Sequence, residues 1–158
     1  MPTLSGSSEF VIDNKGRVKL PSRMLKVFSV GANDSIMIII GINQRIWAYP
    51  MEQWEVVEQA LKKLNPFNKK HRYFKMRFLK DTEEVTMDAQ QRIILPKRLV
   101  ELTNLKDKVK IVGSDDHIEF WIPEEFDEYM ATISDEEYEE MGEEIGAFYL
   151  NREDIKSN

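Results

Sequence analysis

Two segments of the chain place an arginine four residues after an aspartate, at the same point of a repeated pattern. Asp13 precedes Arg17, Asp88 precedes Arg92, and the two segments lie 75 residues apart. In both copies an apolar stretch comes before the aspartate, and the pattern L-P-x-R follows shortly after the arginine. A repeat that keeps so many polar positions indicates a duplicated module. Its chemistry lies in the D-x-x-x-R segment, which we call the tip.

The first tip has the residues of a tight turn between two short strands. Asn14, Lys15 and Gly16 fit a three-residue hairpin loop, which commonly ends in the left-handed conformation that glycine adopts without strain. Asp13 and Arg17 then face each other across the base of the turn, where the carboxylate can hold the guanidinium through a bidentate hydrogen bond. The sequence therefore predicts an arginine fixed in one orientation at the end of a stiff β-ribbon.

The second tip departs from this pattern at one position. Gln91 stands where Gly16 stands in the first copy. A side chain there costs roughly 1–2 kcal/mol if the left-handed geometry is kept. The second turn is therefore expected either to be strained or to differ in geometry, and we expect the first tip to be the better ordered of the two.

An arginine on a two-stranded ribbon suits the major groove of DNA, which admits such a ribbon and presents guanine O6 and N7 as a pair of acceptors. Each bidentate contact of this kind contributes roughly 1–3 kcal/mol of discrimination. Lys15, Lys19 and Arg23 are candidates for phosphate contacts that set the register. The alternative is an Asp–Arg pair that only stiffens a hairpin, but the duplication with its L-P-x-R continuation favours a DNA interface.

The elements around the tips repeat as well. Each half has the pattern β-β-α-β-β-α, with short apolar strands, turn residues between them, and helices that begin near Pro50 and Pro123. One half alone has too little core to be stable. We therefore expect an α+β fold with a mainly β core, in which two tandem halves close into a small double-split β-barrel with peripheral helices.

Two of the predicted helices carry opposite charge. The segment 67–80 is basic and aromatic, and it is expected either to cover the barrel or to bind phosphates. The segment 134–150 begins with a capping box formed by Ser134 and Glu137 and is acidic. It is expected either to pair with the basic helix, within or between subunits, or to form a solvated face.

The net charge of −6 hides an uneven distribution. Residues 1–80 contain 14 Lys and Arg against 6 Asp and Glu, whereas residues 124–158 contain 2 against 13. Since a partner responds to the local field, the first part is basic enough for nucleic acid. Cysteine is absent, which excludes disulfides and thiolate metal sites and fits a reducing cytosol. No apolar run is long enough to span a bilayer, and residues 1–9 lack the pattern of a secretion signal.

Residue patterns typical of catalysis are missing from the sequence. His71 and His117 have no partner at a ligand spacing, and Asp115-Asp116-His117 is more typical of a turn between strands than of a metal site. No glycine-rich phosphate loop and no nucleophile elbow occurs. We therefore expect a protein that is not an enzyme, with no cofactor, no metal, no small-molecule substrate and no membrane partner.

These motifs resemble the MraZ family of bacterial transcriptional regulators, within the AbrB-like swapped-hairpin class of DNA-binding folds. The resemblance covers roughly residues 4–150. It rests on D-N-K-G-R-x-x-L-P at 13–21, D-A-Q-Q-R-x-x-L-P at 88–96, A-Y-P-M-E-Q-W-E-V-V-E-Q-A-L at 48–61, and Gly6 placed seven residues before Asp13. It implies one AbrB-like half at 4–80 (a hairpin module at about 7–54 plus two helices) and a second at 81–150 (a module at about 83–126 plus the acidic helix). The sequence after the last helical pattern, residues 151–158, is expected to fray.

The resemblance also implies a function. Members of the family close into ring-shaped homo-oligomers and bind direct repeats in double-stranded DNA upstream of the division and cell-wall gene cluster, usually as repressors. The chain is accordingly expected in the cytoplasm, associated with the nucleoid. Gln91 replaces the glycine usual in the family, which leaves the contribution of the second tip open. The expected DNA-binding residues are Arg17 and Arg92, their partners Asp13 and Asp88, and Lys15, Gly16, Lys19 and Arg23.

Two other functions remain open at this point. An antitoxin-like protein of the same hairpin class would sequester a partner through a disordered C-terminal extension, although the segment 134–150 has the pattern of a preformed helix. A purely structural ring-forming protein would function without contacting DNA. Comparing the DNA binding of the wild type with that of Arg17→Ala and Arg92→Ala separates the three.

Overall fold

Both halves of the repeat form the predicted order β-β-α-β-β-α, and each is followed by one further helix. The computed structural model describes residues 3–28 and 35–157, with side chains described as far as Ala147. The strands are β1 (Ser7–Val11), β2 (Arg17–Lys19), β3 (Ser35–Ile40), β4 (Ile46–Pro50), β5 (Glu83–Thr86), β6 (Arg92–Ile94), β7 (Lys108–Ser114) and β8 (His117–Trp121). The helices are α1 (Ser22–Phe28), α2 (Met51–Lys62), α3 (Lys69–Leu79), α4 (Lys97–Leu102), α5 (Pro123–Ala131) and α6 (Asp135–Ser157).

The strands of the two halves are interleaved. Six of them form one antiparallel sheet in the order β1-β7-β8-β4-β3-β5, and the other two, β2 and β6, pair as a separate antiparallel ribbon. Each strand of the first half has a counterpart in the second: β1 and β5, β2 and β6, β3 and β7, β4 and β8. When the counterparts are exchanged, the order of strands in the sheet is the same read from the other edge. The sequence repeat therefore corresponds to a pseudo-two-fold axis, and β2 and β6 are counterparts that pair directly with each other.

The structure corrects the expected arrangement of strands in two ways. The α+β class, the mainly β core and the two tandem halves are confirmed, but the sheet is not a closed barrel, because β1 and β5 are its opposite edges. The strands that flank each tip also do not form a simple hairpin, since β1 pairs with β7 and β2 pairs with β6. A three-residue strand such as β2 buries little by itself, and it gains a partner and a buried face only across the two halves.

The larger hydrophobic core in the described part of the chain draws on both halves. The ribbon contributes Val18 and Ile93, which are opposite each other in register and are 1% and 0% exposed. The large sheet contributes Ile38, Ile111 and Phe120, which belong to the same buried cluster. Complete burial of one such side chain stabilises the fold by roughly 1.5–3 kcal/mol. Because the cluster combines residues of both halves, neither half holds this core alone.

Helix α3 packs on the sheet through one aromatic face. Its N-cap is Asn68, whose side-chain oxygen accepts the backbone N–H groups of Lys70 and His71. The helix is therefore shorter than the predicted segment 67–80. Phe78 stacks on Trp54 of α2 with ring centroids 6.3 Å apart, yet no residue of α3 is fully buried. The helix thus covers part of the sheet and leaves its basic side chains accessible to solvent.

The chain divides into two compact units, Met1–Pro123 and Glu124–Asn158. In the second unit, α6 begins with the predicted capping box, in which Ser134 Oγ accepts the backbone N–H of Glu137 at 3.1 Å. The helix extends to Ser157, and the expectation that residues 151–158 fray remains a prediction. No helix in the described part of the chain is both long and apolar enough to cross a membrane.

Candidate nucleic-acid interface

At the first tip one carboxylate organises the whole turn. Asp13 Oδ1 accepts the backbone N–H groups of Lys15 at 2.9 Å and Arg17 at 2.8 Å, and Oδ2 accepts Nε–H of Arg17 at 2.6 Å. Gly16 donates its N–H to the carbonyl of Asp13 at 3.0 Å and has the predicted left-handed conformation, with φ of +81°. The backbone hydrogen bond from Arg17, supported by the other two, lowers the pKa of Asp13 below 3.8. The carboxylate is therefore ionised at neutral pH.

The second tip reproduces this geometry. Asp88 Oδ1 accepts the backbone N–H groups of Gln90 and Arg92, both at 2.9 Å, and Oδ2 accepts Nε–H of Arg92 at 2.9 Å. The backbone hydrogen bond from Arg92 is the main cause that lowers the pKa of Asp88. Gln91 lies in the left-handed conformation with φ of +63°. The second turn therefore has the same shape as the first, although its third residue has a side chain that makes this conformation strained. The aspartate, rather than a glycine, therefore determines the turn.

The arginines are held differently from the predicted bidentate pair. In both tips the carboxylate receives only Nε of the guanidinium, because its other oxygen already accepts two backbone N–H groups. The terminal nitrogens of Arg17 and Arg92 make no hydrogen bond to any residue within 3–28 or 35–147, and the two side chains are 29% and 28% exposed. Each guanidinium is thus fixed along one edge while its other edge remains available as a pair of donors.

Pairing of β2 with β6 brings both arginines onto one surface. The register sets Arg17 opposite Ile94 and Lys19 opposite Arg92. The buried pair formed by Val18 and Ile93 lies between these two pairs along the ribbon. Because side chains alternate across a strand, these four residues share the outer side of the ribbon, which we call the ribbon face. Arg17 and Arg92 are diagonal neighbours on it, a relation that places two residues about 7–8 Å apart. The ribbon face can therefore present both guanidinium groups to one ligand.

Each tip is completed by a residue from the other half. Leu95 donates its N–H to the carbonyl of Gly16 at 2.9 Å, and a Cβ built on Gly16 would lie 3.8 Å from Ile94, so Ile94 lies beside the first tip. Lys19, which its sequence position assigns to the first tip, lies across from Arg92 and belongs to the second. The first composite tip comprises Lys15, Arg17 and Ile94, and the second composite tip comprises Gln90, Arg92 and Lys19.

Ile94 is absent from the site predicted from the sequence, since an isoleucine in a short strand is expected in the core. The structure leaves it 55% exposed. The signal that marks it is the alternation of the strand, because Ile93 occupies the core position and Ile94 must then point outward. Ile94 also aligns with Lys19 of the first copy, a position already identified as a candidate DNA contact.

The duplicated unit is also found by comparison with known families. A family model described as "MraZ protein, putative antitoxin-like" matches residues 3–77 and again residues 78–145. The chain belongs to the MraZ family. The resemblance inferred from the two tips is therefore confirmed, and the interleaved halves are two tandem MraZ units.

Similar MraZ proteins match most of the chain. "Transcriptional regulator MraZ" of Caldicellulosiruptor saccharolyticus is 34% identical over 145 residues, which covers 90% of this chain and 99% of that protein. The proteins of the same name from Desulforamulus reducens and Clostridium tetani are 34% and 32% identical, cover 89% and 85% of this chain, and are themselves covered to 95% and 93%. The family is thus one of transcriptional regulators, and these relatives are not named as enzymes.

In this MraZ chain the arginines of the two L-P-x-R segments have different surroundings. Arg98 Nη1 donates to one oxygen of Asp81 at 2.7 Å, and Lys80 Nζ donates to the other at 2.7 Å. The contact with Lys80 and then that with Arg98 lower the pKa of Asp81, which is buried. Gly6 takes the place of Asp81 in the first half, and Arg23 lies directly over it. Arg23 has no ion pair within the described part of the chain, so its charge is not neutralised there.

A buried polar network joins the two halves of the repeat. Glu119 of β8 accepts hydrogen bonds from Asn43 at 2.9 Å and Trp121 at 3.0 Å, and its other oxygen contacts His117 Nε2 at 2.8 Å. Asp116 contacts His117 Nδ1 at 2.7 Å. Burial disfavours the imidazolium, but these two hydrogen bonds outweigh it and raise the pKa of His117 above 6.5. The hydrogen bond from Asn43 to Glu119 links the first half of the repeat to the second, beside the pairing of β4 with β8.

Proposed function

We propose that the chain is a sequence-specific DNA-binding regulator whose two composite tips contact base edges in the major groove. The observation that supports this most strongly is the ribbon face. Two arginines, each fixed through Nε by an aspartate, share one surface and keep their terminal nitrogens available. A pair that only stiffened a turn would need neither the exposure nor the common surface.

The held guanidinium suits guanine. Its two terminal nitrogens can donate to O6 and N7 together, and each such contact contributes roughly 1–3 kcal/mol of discrimination. Because the Asp–Nε hydrogen bond has already fixed the side chain, less conformational entropy is lost on binding. Lys15 and Arg23 are exposed cations that would contact phosphates and orient the ribbon. Affinity should accordingly fall as salt concentration rises.

We infer that the chain assembles with itself into a ring. Support comes from two surfaces of complementary character. A groove of about 760 Å³ between the β3–β4 turn and α3 is lined mainly by apolar side chains, among them Ile42 and Met76, both 67% exposed. Its charged lining residues are Arg77, Lys80 and Asp81. Helix α6 begins with three acidic residues and exposes Tyr138 and Ile145. Docking of α6 of one subunit in the groove of the next is a head-to-tail contact, the type that can close into a ring.

A ring would make weak individual contacts effective. One ribbon spans only a few base pairs, but neighbouring subunits that bind direct repeats act at high effective concentration. Specificity then depends on the spacing of the repeats as well as on their sequence. Occupation of repeats upstream of the division and cell-wall gene cluster would block transcription, so we propose a repressor that acts in the cytoplasm at the nucleoid.

DNA binding is tested by gel-shift titration with the DNA directly upstream of the gene for this chain. We expect the wild type to prefer it over a scrambled duplex by at least about tenfold, and the double variant Arg17→Ala, Arg92→Ala to lose that preference. Lys62→Ala, which removes one exposed charge from α2, is the matched control and should bind like the wild type. A preference that survives the double substitution would refute the proposal.

Self-assembly is tested independently by light scattering. Met76→Asp places a charge in the groove and should reduce the particle mass. Val56→Asp places a charge on α2 at a residue of similar exposure, 62%, and should leave the mass unchanged. Equal particle mass for the wild type and Met76→Asp would remove the groove from the interface.

A further inference from the structure

The backbone of the β2–β6 ribbon has pseudo-two-fold symmetry, but the side chains on the ribbon face do not. Arg17 and Arg92 occupy equivalent positions, and so do Lys19 and Ile94. Exchanging the two halves therefore places arginine on arginine but lysine on isoleucine. A ligand bound to the ribbon face meets an arginine with an aliphatic neighbour at one end and an arginine with a cationic neighbour at the other.

The aliphatic end is unusual for a surface that faces a charged ligand. Ile94 is 55% exposed, although its ribbon neighbours Ile93 and Val18 are buried, and it lies directly opposite Arg17. Removing aliphatic surface from water is favourable. An apolar group of the ligand that covered Ile94 would therefore add to the binding free energy. Among the four standard bases, only thymine presents a methyl group in the major groove.

We propose that Ile94 contacts the C5-methyl group of a thymine that lies next to the guanine bound by Arg17. The inference rests on the proposed function, because it requires the ribbon face to lie in the major groove. At the other end, Lys19 beside Arg92 donates to a second guanine or to a phosphate. The two ends of the ribbon therefore bind different bases, so one chain binds its DNA site in one orientation only. Sites of one orientation, placed one after the other, form direct repeats and not inverted ones.

Deoxyuridine lacks only the methyl group of thymine, so it isolates this contact. In gel-shift titrations with the upstream duplex, each thymine is replaced in turn at the same place in every repeat. At one position we expect the wild type to lose about fourfold in affinity per tip, the contribution of one buried methyl group. Ile94→Ala should bind the thymine and deoxyuridine duplexes equally, whereas the matched variant Lys19→Ala should retain the loss.

A second variant moves the contact instead of removing it. Exchange of the two residues, Lys19→Ile with Ile94→Lys, keeps the charge and composition of the ribbon face. The sensitive thymine should then lie beside the guanine bound by Arg92, at the opposite end of each repeat. Both substituted side chains are exposed, so the double exchange is expected to fold.

The outcomes separate this inference from the proposed function. If no thymine is sensitive, if Ile94→Ala stays as sensitive as the wild type, or if the exchange moves nothing, the role of Ile94 is overturned while the arginine contacts stand. If the double variant Arg17→Ala, Arg92→Ala binds the upstream duplex as tightly as the wild type, the proposed function fails and the inference fails with it.

Discussion

The two composite tips share one backbone and differ in most of the side chains around it. In both, an aspartate binds two backbone N–H groups and Nε of an arginine. The third residue of the turn is Gly16 in one and Gln91 in the other, yet both are left-handed. The difference shows that the Asp–Arg pair defines the turn, whereas glycine only reduces its strain.

The lysines are placed differently in the two tips. The first composite tip has Lys15 in its loop and Ile94 on the ribbon, and the second has Gln90 in its loop and Lys19 on the ribbon. Each tip thus has one lysine beside its arginine, at a different place. A duplicated scaffold can in this way carry an asymmetric surface, because the fold depends on the positions that the two copies share and the asymmetry depends on those that they do not.

The largest expected difference between the tips is in DNA affinity after loss of each arginine. Arg17→Ala leaves Ile94 as the nearest ribbon residue, whereas Arg92→Ala leaves Lys19, which still attracts a guanine or a phosphate. We expect Arg17→Ala to lose about 10- to 100-fold in affinity and Arg92→Ala to lose less. Fluorescence anisotropy with the upstream duplex measures both. A larger loss for Arg92→Ala would show that Lys19 does not support the second tip.

Exchanging the third turn residue tests the strain of the second tip. Gln91→Gly should raise the free energy of unfolding by about 1 kcal/mol, and Gly16→Gln should lower it by about 1–2 kcal/mol. The Gly16 substitution has the larger effect because its Cβ would also lie 3.1 Å from the carbonyl oxygen of Leu95. Urea unfolding followed by tryptophan fluorescence measures both changes. If Gln91→Gly brings no gain, the second turn is not strained.

Acid should affect the two tips alike. The backbone hydrogen bonds from Arg17 and Arg92 are the main cause that lowers the pKa of Asp13 and Asp88 below 3.8. A pKa that is lowered in the folded state stabilises the fold above the ordinary value, and this contribution is lost as pH falls through the lowered one. In NMR titrations both carboxyl carbons should therefore have midpoints below 3.8. A midpoint above that value at either tip would mean that its carboxylate does not accept the hydrogen bonds of the turn.

A small difference between the tips is expected in the salt dependence of binding. If the proposed function holds, Lys15→Ala removes one phosphate contact and should reduce the slope of log affinity against log salt by about one unit. Gln90→Ala, at the equivalent position of the second tip, should leave the slope unchanged. Titrations at four salt concentrations are sufficient, and equal slopes for Lys15→Ala and the wild type would place the first loop away from the phosphates.

The tips could be predicted from the sequence because their chemistry is local. Asp13 and Arg17 are four residues apart, and the residues between them specify the turn. The pairing of β2 with β6 could not be predicted in the same way, since alternation specifies which side of a strand is buried but not which strand lies beside it. The position of Lys19 beside Arg92 and the position of Ile94 beside Arg17 both follow from that pairing.

The predicted bidentate contact was wrong for a related reason. The spacing of Asp13 and Arg17 shows that the two side chains can meet, but the backbone N–H groups of the turn also compete for the carboxylate, and they occupy one of its oxygens. The ion pair of Arg98 with Asp81 was likewise not predicted, because its two partners lie 17 residues apart on different elements.

The proposed donation from the terminal nitrogens of Arg17 and Arg92 to guanine can be examined by removing the acceptor from the DNA. 7-Deazaguanine keeps its Watson–Crick edge and lacks N7. With it in place of the contacted guanines, the wild type should lose about tenfold in affinity, and the double variant Arg17→Ala, Arg92→Ala should lose none. Wild-type affinity that is unchanged, or a double variant that is equally sensitive, would show that the two arginines do not donate to guanine N7.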